Sequence, residues 1–431
     1  MKGLQETLDK LIEEQFLGDR LIAHFQKQLT DMGVTLTESQ RREIKDRLKE
    51  SRFSSLSLSL QDDQVPAQLR GTNQDDGVPI SIDLELSDTV VSDLAADAEK
   101  WLETLLPGAI PEISRPILGQ LKADVRGMLR DRRKVRRAFE SRLARRWRAG
   151  LRLLEMMIVI ATEAGDDFSR EFRPQAAKEQ DCVFEVLTRL HARACQVASE
   201  VLTLIRSGYP DGAHARWRSL HEIAVVAFFV GQHGQDVAER YLLHQAVESW
   251  RAAQEYQGYC VALGYTPFEQ DEMDSLERNK DLLIRRFGKS YAGNYGWAAH
   301  ALKLPRPSFA DIEKAVGLDK LRPYYRMASH NIHANPKGVF VKLGLAGFDA
   351  DLLLAGPSQR GLADPGHGTA ISITQATTAL LTSQPNLDRL VICDVLRRLQ
   401  QETGAAFMAA HEPQQEESSP DSPSGCDAGA G

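Results

Sequence analysis

The first part of the chain has a helical pattern of apolar residues followed by an extended one. Between residues 4 and 28 apolar side chains recur about every 3.6 positions, which predicts an amphipathic helix. Thr37 and Gln40 have the spacing of a capping box, so a second short helix is expected over residues 37–50. Residues 55–60 and 79–86 alternate apolar and polar side chains around a Gly- and Asp-rich segment. This alternation predicts a small β-hairpin in the N-terminal region, or a flexible linker with residual strand character.

Helical patterns dominate the remainder up to residue 411. The predicted helices cover residues 87–106, 112–164, 175–206, 211–230, 234–263, 267–287, 290–302, 309–316, 320–334, 370–382 and 386–411. The last twenty residues contain Ser, Pro, Gly and acids but few core formers, which predicts disorder. The fold class is therefore mainly α. We divide the chain into an N-terminal helical region with the hairpin (1–110), a long basic connecting helix (111–150), a multi-helix C-terminal domain (151–411) and a tail (412–431).

Charge is distributed unevenly along the chain, whose net charge is −7. Residues 61–105 contain eleven acids and two bases, whereas residues 126–152 contain twelve bases and two acids. These opposite blocks either neutralise each other in the fold or leave the basic block exposed to an anionic partner. In the second case the expected partner is a nucleic acid, RNA or DNA, and RNA is the partner that we carry forward. The candidate nucleic-acid contacts are Arg132, Arg133, Arg136 and Arg137.

Composition restricts the class of protein further. No apolar run approaches the roughly 20 residues of a membrane span. Four acids interrupt the first sixteen residues, where a signal peptide would be apolar. The five cysteines are widely spaced and form no CxxC pair. We therefore expect a cytoplasmic protein with no membrane partner and no disulfide framework.

One predicted helix carries charge next to a segment that must be interior. Residues 223–230 are apolar on every side of the helix, and Glu222 directly precedes them. Arg218 lies four residues before Glu222 on nearly the same face, and His221 is adjacent. A buried carboxylate requires a partner. Arg218, His221 and Glu222 therefore form either a structural pair that fixes helix register or part of a ligand site.

A second helix carries three groups suited to phosphate chemistry. At 100° per residue, Arg326, His330 and His333 share one face if the helix continues to residue 334. An arginine fork binds phosphate oxygens, and imidazoles titrate near neutrality. The alternative is that these side chains only satisfy packing and hydrogen bonding.

Two resemblances follow from these motifs. The pairing of GYPDGAHARWRSLHEIAVVA with the later YRMASHNIHANPKG resembles DUF5677, a bacterial helical family of unknown function, over about residues 142–346. The spacing from Arg326 to His333 also resembles the Arg-x(4–6)-His motif of HEPN ribonucleases, which are helical and often dimeric. This chain departs from the usual HEPN motif at Met327, where a polar residue is common.

The HEPN resemblance implies RNA cleavage without a metal ion or other cofactor. His333 would act as general base or acid, Arg326 would stabilise the charge on the phosphorane, and His330 would be a second acid–base group. It also implies a phage-defence or toxin–antitoxin setting, with a homodimer and an antitoxin or regulatory protein as partners. The alternative function is a non-catalytic helical binding or regulatory protein, in which the Arg/Glu/His cluster is a structural polar network.

Other chemistries have less support in the sequence. The histidines and Glu222 lack the spacing of a recognised metal site, so no metal is expected. HEXXH, GxSxG and phosphate-binding glycine motifs are absent. The residues around Gly361 and His367 are interpreted as a loop.

Overall fold

The computed structural model describes residues 18–34, 37–40, 42, 55–60, 80–85, 88–333, 335–346 and 352–412. The chain divides into two compact units, residues 1–131 and 132–431. Parts of four predictions lie outside the described residues: the start of the first helix, most of the short helix over residues 37–50, the connection between the two strands and the tail after residue 412. The four predicted regions and their boundaries stay predictions.

The described residues of the first unit include a short helix, two strands and the helical residues 38–40 and 42, which lie in the predicted second helix. Helix α1 (Gly18–Asp31) buries Leu21, Phe25 and Leu29, which confirms the amphipathic pattern over this range. Strands β1 (Ser55–Leu60) and β2 (Ile80–Glu85) pair antiparallel, with Ser55 opposite Glu85. Because residues 61–79 are not described, the connected hairpin stays a prediction. The long helix α2 (Asp88–Arg146) follows.

The second unit is built from helices, which makes the described part of the chain mainly helical, as predicted. After α2 the helices are α3 (Arg148–Glu179), α4 (Cys182–Arg206), α5 (Pro210–His233), α6 (Gln235–Leu243), α7 (Gln245–Tyr259), α8 (Gln270–Phe287), α9 (Ala299–Leu302), α10 (Phe309–Ala315), α11 (Arg322–His330), α12 (Pro336–Phe340), α13 (Ala363–Leu381) and α14 (Leu387–His411).

Helices α3, α4, α5, α13 and α14 enclose the main core. Helix α5 contributes Trp217, Leu220 and Ala224 to this core. Its Val225, Phe229 and Val230 are fully buried in a second hydrophobic cluster, as the apolar run predicted. Small residues let the helices approach closely. At Gly368 of α13, an added Cβ would lie 2.8 Å from the Trp217 indole nitrogen of α5. That nitrogen donates a hydrogen bond to Ser372 one turn further along α13.

The basic helix and the apolar helix after it are separated by one residue. Trp147 breaks the helix between α2 and α3, with backbone angles of φ −97° and ψ 13°. Its ring is buried against Phe407, and its indole nitrogen donates to the carbonyl of Gln359. The arginines of residues 126–142 are exposed, and burial begins at Leu143.

Several helix boundaries differ from the predictions because proline does not by itself end a helix. Proline removes one N–H donor, but its fixed φ is a helical value. Pro107, Pro111 and Pro116 therefore lie inside α2, and Pro174 lies inside α3. The chain turns instead at Gln180, which has a φ of 53°, and Asp181 then caps α4 by accepting from the Phe184 amide.

Two predictions near the C-terminus were wrong. The helix expected over residues 320–334 ends at His330, and residues 331–333 form a turn. The short helix α12 follows at residues 336–340. The segment around His367, interpreted as a loop, is the beginning of α13.

Candidate functional site

A polar network joins α5, α10 and α11 beside the apolar core. On α5, the Arg218 guanidinium pairs with the Glu222 carboxylate at 2.9 Å. The Tyr325 hydroxyl of α11 donates to the same carboxylate and accepts a 2.6 Å hydrogen bond from Arg218. Arg218 also lies over the Tyr325 ring, 4.6 Å from its centroid. These three side chains form the outer half of the network, where Arg218 and Glu222 are less than one-third exposed.

The inner half of the network is centred on Glu313 of α10, which is fully buried. One carboxylate oxygen lies 2.8 Å from the Nε2 atom of His221, and the other accepts a 2.8 Å hydrogen bond from Arg322. Arg322 comes from the first turn of α11 and remains 28% exposed. Glu313 therefore links three helices through one carboxylate. Its negative charge is compensated by a cation that reaches in from the surface.

Burial determines the protonation states within this network. Burial lowers the pKa of His221, although the adjacent Glu313 carboxylate opposes that change. His221 is then neutral at pH 7 and donates its Nε2 proton to Glu313, while Arg322 supplies the positive charge. Burial, followed by the hydrogen bond to Glu222, raises the pKa of Tyr325, which stays protonated. The network therefore contains two ion pairs, Arg218–Glu222 and Arg322–Glu313. The neutral side chains of Tyr325 and His221 donate hydrogen bonds to their carboxylates.

Two more histidines are buried nearby in the core. His214 stacks on Trp217 of α5, and His191 of α4 forms a 3.0 Å hydrogen bond with Thr377. Because the Thr377 hydroxyl donates to the Ile373 carbonyl, the His191 Nε2 atom is the donor to Thr377. Burial lowers the pKa of each histidine to about 4. Both rings are therefore neutral at pH 7.

Folding stability should fall when the pH drops below about 6.5. The two histidines have a pKa near 6.5 in the unfolded chain, so the unfolded chain binds protons first as the pH falls. The stabilisation is complete above that value and is lost towards pH 4, with a slope of up to about 1.4 kcal/mol per pH unit for each ring. His214→Phe keeps an aromatic ring stacked on Trp217 but removes one titrating imidazole. The slope of the free energy of unfolding against pH should therefore decrease by the contribution of one ring. Urea unfolding at pH 7, 6 and 5 measures this slope.

The exposed His300 supplies the matched control for this experiment, because its side chain is 71% exposed. His300→Gln should leave the pH dependence of unfolding unchanged. Equal slopes for wild type and His214→Phe would contradict the assignment of a buried neutral imidazole at position 214.

The structure keeps two of the three predicted catalytic residues, Arg326 and His330, on one helix face, and His333 lies beyond the end of that helix. Arg326 is exposed on α11, His330 ends that helix half-buried, and His333 is exposed in the following turn. The single-face argument fails for His333, because it required a helix through residue 334. The His330 ring accepts from the Asn335 amide at 3.0 Å, and Asn335 accepts from the Gly338 backbone. This cap turns the chain into α12 and fixes the His330 ring.

The candidate nucleic-acid contacts are all on the surface of α2. Arg132, Arg133, Arg136 and Arg137 are exposed. Arg136 pairs with Glu140 at 2.8 Å. Among the described residues, no acid forms an ion pair with Arg132, Arg133 or Arg137. The basic segment, residues 126–152, therefore presents guanidinium groups to solvent.

Sequence reasoning identified Arg218, His221 and Glu222 but missed Glu313 and Arg322. A signal for Glu313 was present: it falls on the face of α10 that also carries Phe309 and Ile312, both buried. A carboxylate on an apolar face indicates a buried charge, which requires a cationic partner. Nothing in the spacing identified Arg322 as that partner, since it belongs to another helix.

These helices and their shared network define a mainly helical protein with an internal polar centre in its second unit. Residues 184–346 match the model of a family of unknown function (DUF5677), which confirms the resemblance in the sequence. The match begins later than the predicted residue 142. It includes Gly208, whose φ of 78° favours glycine and where a Cβ would lie 2.6 Å from the Phe139 ring. No curated protein and no solved structure matches the chain.

The described residues contain no group of three His, Cys, Asp or Glu side chains that could hold a metal ion. In the same part of the chain, every helix is too short or too polar to cross a membrane.

Proposed function

We propose that this protein is a non-catalytic helical protein that binds RNA through the exposed arginines of residues 126–152. In this proposal the network around Arg218, His221 and Glu222 is structural. It holds α5, α10 and α11 in register and does not take part in a reaction.

The observation that carries the proposal is the exposure of the basic segment. Nucleic-acid affinity comes largely from arginine and lysine side chains that neutralise phosphates and release counterions. The basic segment meets this requirement, since its guanidinium groups face solvent and few of them are paired with acids. An arginine already paired within the fold would have to break that pair to bind phosphate.

The chemistry of the network supports a structural role for it. Both of its carboxylates have cationic partners within the fold, and the Tyr325 hydroxyl already donates and accepts. His221 is held by Glu313 with its ring fully buried. A ligand would have to displace these contacts before it could bind.

Charge reversal of Arg132, Arg133, Arg136 and Arg137 to glutamate tests the proposal. RNA affinity should fall strongly and depend less on salt, because contacts to phosphate are lost. Unchanged affinity would contradict RNA binding by this surface.

A metal-independent ribonuclease is a second candidate, and the exposure of Arg326 and His333 favours it. In such a reaction the RNA 2′-oxygen forms a bond to phosphorus and the bond to the 5′-oxygen breaks. His333 would take the proton from the 2′-hydroxyl or give one to the leaving 5′-oxygen, and Arg326 would stabilise the phosphorane. His330 is less suited to this role, since Asn335 donates to one of its ring nitrogens.

An RNA cleavage assay in EDTA separates the two candidates. If the protein is a ribonuclease, wild type cleaves and His333→Ala reduces the rate by about 10² or more while remaining folded. His300→Ala, at another exposed histidine, is the control and should cleave as wild type does. Our proposal of a non-catalytic binding protein predicts no cleavage by wild type, and cleavage that depends on His333 would replace it with the ribonuclease.

The wider setting depends on this second candidate. A phage-defence or toxin–antitoxin role, a homodimer and an antitoxin partner follow from the HEPN resemblance. They stay predictions.

A further inference from the structure

A groove of about 840 Å³ lies where α2 ends, α3 begins and α4 ends. Leu143 and Leu151 contribute buried apolar side chains to its lining. Four arginines line it as well: Arg145, Arg148, Arg152 and Arg206. Trp147, whose backbone angles separate α2 from α3, lies between Arg145 and Arg148.

The groove carries more positive charge than its acids can neutralise. Glu155 pairs with Arg206, and Glu140 pairs with Arg136 outside the lining. These two ion pairs account for both acids that line the groove. Among the described residues, no acid forms an ion pair with Arg145, Arg148 or Arg152. A concave surface with a surplus of one charge concentrates the electrostatic field and attracts ions of the opposite sign.

The spacing of these arginines specifies the kind of anion. Arg148 and Arg152 are four residues apart on α3, so they lie on one face with a rise of about 6 Å between their backbones. Guanidinium forks bind phosphate oxygens in pairs. Two forks with a backbone rise of about 6 Å between them on one helix face suit two linked phosphates.

We propose that this groove binds consecutive phosphates of a single RNA strand. The inference rests on the proposed function and adds to it the place where the strand is held. The exposed arginines earlier on α2 would attract RNA from solution, and the groove would bind two or more of its phosphates. A free nucleoside triphosphate also carries linked phosphates, so the experiment must distinguish RNA from a free nucleotide.

The test measures binding of a labelled single-stranded RNA to wild type and to Arg148→Glu/Arg152→Glu. Two lost phosphate contacts should lower the affinity about 20-fold at 0.1 M salt and reduce the salt slope by about 1.4. Arg193→Glu/Arg285→Glu is the matched control, because it has the same charge change at two exposed sites. A second arm adds ATP as competitor. Circular dichroism establishes that each variant is folded, and Arg148→Gln/Arg152→Gln should lose affinity in the same direction.

The inference is supported if the groove variants lose RNA affinity, Arg193→Glu/Arg285→Glu does not, and ATP does not displace RNA. Unchanged RNA affinity in the groove variants would overturn it. If reversal of Arg132, Arg133, Arg136 and Arg137 still abolishes RNA binding in that case, the proposed function stands without the groove. If neither set of variants affects RNA binding, both fail. ATP binding that is lost in the groove variants while RNA affinity is unchanged would assign the groove to a free nucleotide and overturn the RNA assignment.

Discussion

Arg322→Leu is expected to lower the free energy of unfolding by about 3 kcal/mol. The reason is that Glu313 is fully buried and would lose its cationic partner, and an uncompensated buried charge costs about 3–5 kcal/mol. We expect the lower end of this range for Arg322→Leu, because His221 continues to donate to Glu313 and Arg322 is itself partly exposed. Urea unfolding at pH 7 measures the change.

A second substitution should rescue this variant. Glu313→Gln removes the buried charge, so Arg322→Leu/Glu313→Gln should be about 1–2 kcal/mol more stable than Arg322→Leu alone. Arg326→Leu, on the same helix but exposed, is the control and should change stability by less than about 0.5 kcal/mol. A double variant that is less stable than Arg322→Leu would contradict the claim that Arg322 compensates the buried charge of Glu313.

The parts of the fold that follow from local patterns could be predicted from the sequence. The apolar run of α5 required burial, and Glu222 beside it required Arg218, because both partners lie on one helix face four residues apart. The exposure of the basic segment followed from its charge. In each of these cases the residues involved are close in sequence, so helical periodicity alone relates them.

Contacts between helices could not be predicted in the same way. Arg322 and Glu313 meet because α10 and α11 both pack on α5, and no spacing in the sequence records that packing. His333 was assigned to a helix face because nothing local before Asn335 ends the pattern. In the structure α11 ends at His330, four residues before the predicted end at residue 334. There the Asn335 amide donates to the His330 ring, and Gly338 packs on the His330 carbonyl. The groove likewise brings together residues of α2, α3 and α4 that no spacing in the sequence relates.

Reversing Arg132, Arg133, Arg136 and Arg137 to glutamate should lower RNA affinity at least about a hundredfold at 0.1 M salt. Each lost phosphate contact removes about 0.7 counterions from the binding equilibrium, so four contacts correspond to between two and three decades of affinity. The four side chains are exposed, which makes a folding defect an unsuitable explanation for the loss. The matched control reverses Arg193, Arg278, Arg285 and Lys289, four exposed bases elsewhere in the second unit.

The most direct measurement is the slope of log binding constant against log salt concentration for a single-stranded RNA. RNA binding by the basic segment predicts a steep negative slope for wild type and for the control. In the variant with Arg132, Arg133, Arg136 and Arg137 reversed, the slope should be shallower by about 3. The same slope in that variant and the control, or no RNA binding by wild type, would contradict the proposed function.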